Sequence, residues 1–129
     1  MPKQAIHTDQ AGPPLGAYSQ GIRAGDFVFV SGCGPIDPAT GEVRGDTVEE
    51  QTELVISNIE AILAAGGATL ADVVQATVHL LDETEFPRFN AVYARRFAEP
   101  RPVRTTVGSG LRQVPGIRVE INVTAYVGG

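Results

Sequence analysis

The stretch Ile117-Arg118-Val119-Glu120-Ile121-Asn122-Val123-Thr124-Ala125-Tyr126 alternates between apolar residues and residues with a polar group. A period of two indicates a β-strand with one face packed on a core. The opposite face carries Glu120, Asn122 and Thr124, so it must meet something polar. The sequence therefore predicts a sheet that has one apolar face and one polar face.

The clearest helix of the sequence begins near Thr47. Thr47 and Glu50 have capping-box spacing, in which each side chain accepts a hydrogen bond from the backbone N–H of the other residue. The pair Gly66-Gly67 supplies a stop signal. Between these ends, apolar residues recur with a period close to 3.6: Val48, Val55, Ile59, Ile62 and Leu63.

A second helix is predicted by an aromatic stripe at i, i+3, i+7 and i+11, which we expect to pack in the core. Pro87 is compatible with the first turn of this helix, and Pro100 and Pro102 end it. The stripe consists of Phe86, Phe89, Tyr93 and Phe97.

The remaining segments read mainly as strands and turns. Two β-rich runs, 18–23 and 27–31, flank Ala24-Gly25-Asp26 and predict a hairpin. Residues 37–41 predict a turn. The apolar, β-branched residues 73–81 predict a buried strand, and 103–107 predict a short one. The order of strands, helix, strand, helix and strands predicts an α+β fold with both helices on one face of a mixed sheet. Water, a ligand or another subunit must then cover the other face.

Composition narrows the class of protein. A length of 129 residues, with 43% apolar and 19% charged residues, suits a single domain over 1–129. The net charge of -5 disfavours nucleic acid as a partner. The single cysteine allows no internal disulfide, and the N-terminal residues do not resemble a signal peptide. No run approaches the roughly 20 apolar residues that span a bilayer. We therefore expect a cytoplasmic protein with no membrane partner.

Common catalytic and cofactor motifs are absent from the sequence. It contains no GxGxxG or Walker A loop, no GxSxG elbow and no histidine or cysteine pair at ligand spacing. We therefore expect no metal and no organic cofactor. His79 lies in an apolar strand and is interpreted as a structural residue, and Cys33 as an inert small hydrophobe.

Five separated polar residues remain as candidates for a site. Arg104 begins an apolar strand and could grip a carboxylate bidentately, or it could form a structural salt bridge or an exposed charge. Glu120 could hold or activate a water if its face is covered, or it could simply be solvated. Tyr18, Ser31 and Asn90 also have ordinary interpretations as turn, strand-end and helix-surface residues.

The order and spacing of several short motifs resemble the RidA/YjgF family, also called the reactive-intermediate deaminase or L-PSP family. Each motif alone is weak, but together they run nearly from end to end. They are Gly16-Ala17-Tyr18-Ser19-Gln20, Val30-Ser31-Gly32, Asp37-Pro38-Ala39-Thr40-Gly41-Glu42, Gln51-Thr52 with Asn58-Ile59, Asn90-Ala91-Val92-Tyr93, Pro102-Val103-Arg104-Thr105-Thr106-Val107 and Val119-Glu120-Ile121.

The resemblance implies a chorismate-mutase-like sandwich with a mixed six-stranded sheet, assembled as a homotrimeric barrel with ligand sites between subunits. It implies hydrolysis of 2-iminobutanoate, 2-iminopropanoate and related imino or enamine acids to 2-keto acids and ammonia, without a cofactor. The small-molecule partner is thus an imino or keto acid. The arginine matching Arg104 would bind the substrate carboxylate, and Glu120 would act on a water. Further substrate contacts would come from Tyr18, Ser31, Gly32, Asn90 and Thr106.

The sequence departs from the family pattern at several positions, and the exact imine substrate stays open. These positions are Ala17, Cys33-Gly34, Thr106 and Arg112-Gln113. Three other functions also stay open: a non-catalytic small-molecule regulator, a pathway-specific enamine or imine hydrolase, and a ribonuclease or translation inhibitor. The acidic charge and the lack of a basic stripe disfavour the last of these.

Overall fold

The chain folds into one mixed six-stranded sheet with two α-helices packed on one face, as seen in a computed structural model that describes residues 2–129. The predicted α+β fold is confirmed. The elements are β1 (Gln4–Ile6), β2 (Gly21–Ala24), β3 (Phe27–Cys33), α1 (Val48–Ala65), β4 (Val73–Leu80), α2 (Phe86–Arg96), β5 (Val103–Gly108) and β6 (Val119–Tyr126), with 3-10 turns at Leu70–Asp72 and Glu83–Glu85.

The last strand of the chain lies inside the sheet, whose order is β1-β2-β3-β6-β4-β5. Only β4 and β5 pair in parallel, and α2 lies on the crossover that connects them. The alternation predicted for β6 is confirmed. Val119, Ile121 and Val123 are buried against the helices, whereas Glu120 and Asn122 are only half-buried on the opposite face.

Both predicted helices are present, and each buries the expected face. Thr47 Oγ1 accepts the Glu50 backbone N–H at 3.1 Å, and Glu50 Oε1 accepts the Thr47 N–H at 3.2 Å, which completes the capping box. The aromatic stripe of α2 is packed in the core, where Phe89 and Tyr93 are buried. Phe97 is also buried, although the helix ends at Arg96.

The starts of two strands differ from the sequence prediction. The strand predicted from Tyr18 begins at Gly21, because the Gln20 amide donates to the carbonyls of Thr8 and Gly12 and ties the preceding residues into a loop. The strand predicted from Ile117 begins at Val119. The short edge strand β1, which pairs with β2, was not predicted because three residues carry too little periodicity.

The helix-free face of the sheet is open and partly apolar. Phe27, Phe29 and Tyr126 are 43%, 45% and 44% exposed on neighbouring strands. Val103, on the edge strand β5, is 70% exposed. In this chain alone nothing among residues 2–129 covers these side chains.

Candidate functional site

A cavity of about 660 Å³ opens beside the N-terminal half of β6. Its wall includes the loop before β2, the end of β3 and the loop after β5. The predicted site residues that line it are Tyr18, Ser31, Gly32 and Glu120. The structure therefore brings four of the predicted residues together in one place.

An irregularity in β3 shapes this cavity. The pairing between β3 and β6 shifts register between Val30 and Cys33, where Ser31 and Gly32 lie. Ser31 donates from both its backbone N–H and its hydroxyl to the carbonyl of Gln20, each at 3.0 Å. The bulge is thereby fixed to the loop that carries Tyr18, whose hydroxyl accepts the Leu15 N–H at 3.0 Å.

Glu120 is held against the backbone of Gly32. A Cβ added to Gly32 would overlap Glu120 Oε1 and would lie 3.0 Å from Cδ, so only glycine leaves room for this carboxylate. Within the described residues, the Glu120 carboxylate has no ion-pair partner. Its oxygens are therefore free to hold a water or a ligand in the cavity.

Cys33 lies next to Gly32 but does not act as a nucleophile here. Burial, and secondarily the negative charge of Glu120, raise the pKa of its thiol to about 12. A thiol with such a pKa stays protonated at neutral pH and is a poor nucleophile. The interpretation of Cys33 as an inert hydrophobe agrees with this environment.

His79 also lines the cavity, and sequence reasoning did not place it there. It lies on β4 directly opposite Glu120 in the antiparallel pair with β6. Its Nδ1 lies 2.7 Å from Ser109 Oγ, in the loop after β5. The signal was present in the sequence, because Gln75, Thr77 and His79 follow a period of two on the polar face of β4.

Arg104 lies in a second group of predicted residues, beside α2. Its guanidinium packs on the rings of Tyr93, Phe86 and Phe89, at 4.6, 5.4 and 5.7 Å from the ring centroids. Arg104 Nη1 donates to Asn90 Oδ1 at 2.8 Å.

The positive charge of Arg104 has no carboxylate partner anywhere in residues 2–129, so the structural salt bridge considered as an alternative does not form there. Thr106 follows on the same face of β5, and its buried hydroxyl has no hydrogen-bond partner among the described residues. The region beside α2 thus holds an unpaired cation and an unpaired hydroxyl.

The two groups lie on opposite faces of the sheet. Glu120 pairs with His79 on the helix-free face, whereas Arg104 pairs with Ala76, which is buried in the core on the helix side. Paired residues on neighbouring strands point to the same face. A single protomer therefore does not bring Arg104, Asn90 and Thr106 into the cavity that holds Glu120.

Residues 2–129 contain neither a metal-binding cluster nor a membrane-spanning helix. No three histidine, cysteine, aspartate or glutamate side chains within 2–129 are grouped in a way that could hold a metal ion. Over the same range, neither helix combines the length and the apolar character that crossing a bilayer requires.

Comparison with known proteins places this geometry in a family. A family model described as Endoribonuclease L-PSP matches residues 8–127. A RutC family protein of Pyrococcus abyssi is 44% identical over 126 residues, which are 98% of each chain. The chain belongs to the RidA/YjgF family. The resemblance inferred from the sequence motifs is confirmed.

Two other RidA/YjgF relatives are similar over most of this chain. The chain is 41% identical to the chloroplastic Reactive Intermediate Deaminase A of Arabidopsis thaliana over 104 residues, which are 81% of this chain and 56% of that protein. It is similar to the crystal structure of E. coli TdcF with bound serine, with 33% identity, a TM-score of 0.86 and coverage of 95% and 98% of the two chains.

Only some of the departures from the RidA/YjgF pattern line the cavity. Gly34 and Gln113 line it, and a Cβ at Gly34 would lie 3.1 Å from Ile117 Cδ1. Arg112 and Ala17 are exposed. Thr106 lies beside Arg104 on the other face of the sheet. The departures therefore do not form one group.

Proposed function

We propose that this protein hydrolyses 2-imino acids, of the 2-iminobutanoate and 2-iminopropanoate type, to 2-keto acids and ammonia. The observation that carries the proposal is Arg104, a cation without an anion, oriented by Asn90 and by the aromatic rings of α2. A planar guanidinium is suited to bidentate binding of a carboxylate. The deaminase relative and the serine-bound relative support a small amino-acid-like substrate.

The proposed hydrolysis needs only two protein groups, one that binds the substrate carboxylate and one that acts on a water. Arg104 fixes the substrate carboxylate, and Glu120 positions a water or accepts its proton. The water oxygen attacks C2 of the protonated imine, and the resulting carbinolamine collapses to the keto acid and ammonia. Orientation of the reactants can contribute several kcal/mol, and a positioned base typically contributes about 10²–10⁴-fold. The proposal needs no metal and no organic cofactor.

The proposed site lies between subunits of a homotrimer. Arg104 and Glu120 point to opposite faces of one sheet, so the substrate would lie between Glu120 of one protomer and Arg104 of the partner subunit. The exposed rings of Phe27, Phe29 and Tyr126 support a barrel in which the helix-free faces of the sheets meet. Burial of such rings is a strong source of association energy.

The same proposal excludes RNA as the main substrate and places the protein in the cytoplasm. A net charge of -5 disfavours RNA as a substrate, so RNA cleavage should be weak and independent of Arg104. A free thiol at Cys33 suits the reducing cytoplasm.

The proposal is tested by the release of keto acid when an amino-acid oxidase generates imines in situ from a panel of amino acids. Arg104→Ala should lower kcat/KM by at least about 10²-fold, since two charge-assisted hydrogen bonds are worth about 1.5–3 kcal/mol each. Arg104→Lys keeps the charge but loses the planar fork, so it should recover little. The exposed Arg44, changed to alanine, is the control and should retain activity.

The result that would remove the proposal is wild-type deamination by Arg104→Ala. A different outcome would favour the regulator. In that case the wild-type protein binds pyruvate or 2-oxobutanoate in calorimetry but does not accelerate hydrolysis.

A further inference from the structure

The cavity holds a second titratable group beside the carboxylate of Glu120. His79 and Glu120 are directly opposite each other on antiparallel strands, and both line the cavity. Side chains in this relation have Cβ atoms about 4.5–5.5 Å apart. An imidazole and a carboxylate therefore face the same cavity from neighbouring strands.

The ring of His79 is oriented by its neighbour. Nδ1 lies 2.7 Å from Ser109 Oγ, and the Ser109 N–H donates to the carbonyl of Leu80, the residue next to His79, at 2.8 Å. A hydroxyl can donate to a neutral Nδ1 or accept from a protonated one. Ser109 can thus hold the ring in both protonation states and leave Nε2 available for the cavity.

Glu120 alone is poorly placed for both proton transfers of the hydrolysis. One proton must leave the attacking water, and another must reach the nitrogen of the carbinolamine. The backbone of Gly32 lies against Glu120 Oε1 and restricts the movement of this carboxylate between the two positions. A second group that reaches the nitrogen removes the need for such movement.

We propose that His79, oriented by Ser109, is the general acid that protonates the departing nitrogen, while Glu120 serves the attacking water. This inference rests on the proposed imine hydrolysis.

The proton and electron transfers of this step balance. The water oxygen forms a bond to C2 of the protonated imine, the C=N π pair moves to nitrogen, and the water proton passes to Glu120. The imidazolium of His79 then protonates the amino group. The C–N bond breaks, and its electron pair leaves with ammonia. The hydroxyl proton returns to His79 as C=O forms, and Glu120 gives its proton to the solvent.

The pH dependence of turnover gives a readout that a purely structural role would not move. Besides His79, the ionisable side chains that line the cavity within the described residues are Glu120 of β6, Cys33 of β3 and Tyr18 of the loop before β2. The pKa of Cys33 is raised to about 12. A histidine ordinarily titrates near pH 6.5. Because a general acid must be protonated, a rate that depends on a proton from His79 should fall as the pH rises.

The test compares wild type with His79→Gln, which keeps a polar side chain but cannot supply this proton. We expect kcat to fall by about 10²-fold with little change in KM, and the decline of kcat near neutral pH to disappear. Ser109→Ala should give a smaller loss and should keep the decline. Thr77→Val, on the same face of β4 but outside the cavity lining, is the matched control and should behave as wild type.

Chemical rescue separates proton donation from packing. Added imidazole should raise the kcat of His79→Ala by at least about ten-fold, which is within the range typical of acid catalysis. It should not raise the kcat of His79→Gln, whose side chain fills the space that imidazole would occupy. A His79→Gln enzyme with wild-type kcat and an unchanged pH profile would overturn the role of His79, and so would a His79→Ala enzyme that imidazole does not rescue. If the wild-type protein itself fails to accelerate hydrolysis, the proposed function fails, and the role of His79 fails with it.

Discussion

Replacing Gly32 with alanine should disable the site while leaving the fold intact. The added Cβ would overlap Glu120 Oε1 and would lie 3.0 Å from Cδ and 3.3 Å from Cγ, inside ordinary van der Waals contact. The carboxylate must therefore move by about an ångström or more. A misplacement of this size can cost about 10²-fold in rate, so we expect kcat to fall by about that factor.

The stability of the same variant should change little. The φ of Gly32 is not positive, so alanine can adopt the backbone conformation. Alanine reduces the conformational entropy of the unfolded chain, which stabilises the fold by about 0.4–1 kcal/mol. A Glu120 side chain pushed out of its preferred rotamer destabilises the fold by about 0.5–1.5 kcal/mol. The two nearly cancel, and the free energy of unfolding should stay within about 1 kcal/mol of wild type.

Initial rates of keto-acid release and urea unfolding measure both effects. Gly110→Ala is the control, since Gly110 lines the same cavity but a Cβ there would meet nothing within 4 Å. The decisive comparison is between the single variant Glu120→Ala and the double variant Gly32→Ala/Glu120→Ala. The two should have the same kcat, because the side chain that the added Cβ would displace is already absent. An equal loss of rate with and without the Glu120 side chain would refute this reasoning, and so would a Gly32→Ala enzyme of wild-type rate.

Four further predictions test the fold, the assembly and the chemistry. Thr47→Ala should lower the free energy of unfolding in urea by about 1 kcal/mol, because it removes the cap of α1. Because the pKa of Cys33 is raised from 9.0 to about 12 in the folded protein, the unfolded chain loses the thiol proton first. The free energy of unfolding should therefore fall between pH 9 and 12, and Cys33→Ala should make that fall shallower. Light scattering should give about three times 13.6 kDa, and Phe29→Asp, which places a charge among exposed rings of the helix-free face, should lower that mass. Deamination should survive EDTA, and restoration of a lost activity by a divalent metal would contradict the proposed chemistry.

The elements with a long, regular pattern could be predicted from the sequence. The period-two alternation of β6, the capping box of α1 and the aromatic stripe of α2 each involve many residues, so local chemistry determines them. The edge strand β1 and the start of β2 could not be predicted. They depend on strand pairing and on the hydrogen bonds of Gln20, which are distant in sequence.

The candidate site was predicted less completely than the fold. Tyr18, Ser31 and Glu120 were polar candidates to which the resemblance gave roles, and the resemblance added Gly32. The structure brings these four residues into one cavity. That Arg104 lies on the other face depends on the parallel pairing of β5 with β4, which no local pattern encodes. The sequence analysis interpreted His79 as a purely structural residue, because its strand is mostly apolar. Its partner Ser109 lies 30 positions away in the sequence, so no local pattern joins the two residues.

The aromatic side chains of α2 that hold the Arg104 guanidinium also belong to the hydrophobic core. Phe89 and Tyr93 fill the core and also form the wall on which the guanidinium rests. Substitutions that repack this part of the interior for heat resistance should therefore also tilt the guanidinium that we propose binds the substrate. Changes of specificity can conversely arise from substitutions that no ligand ever touches, and the history of this family is then expected to show its core and its substrate preference drifting together.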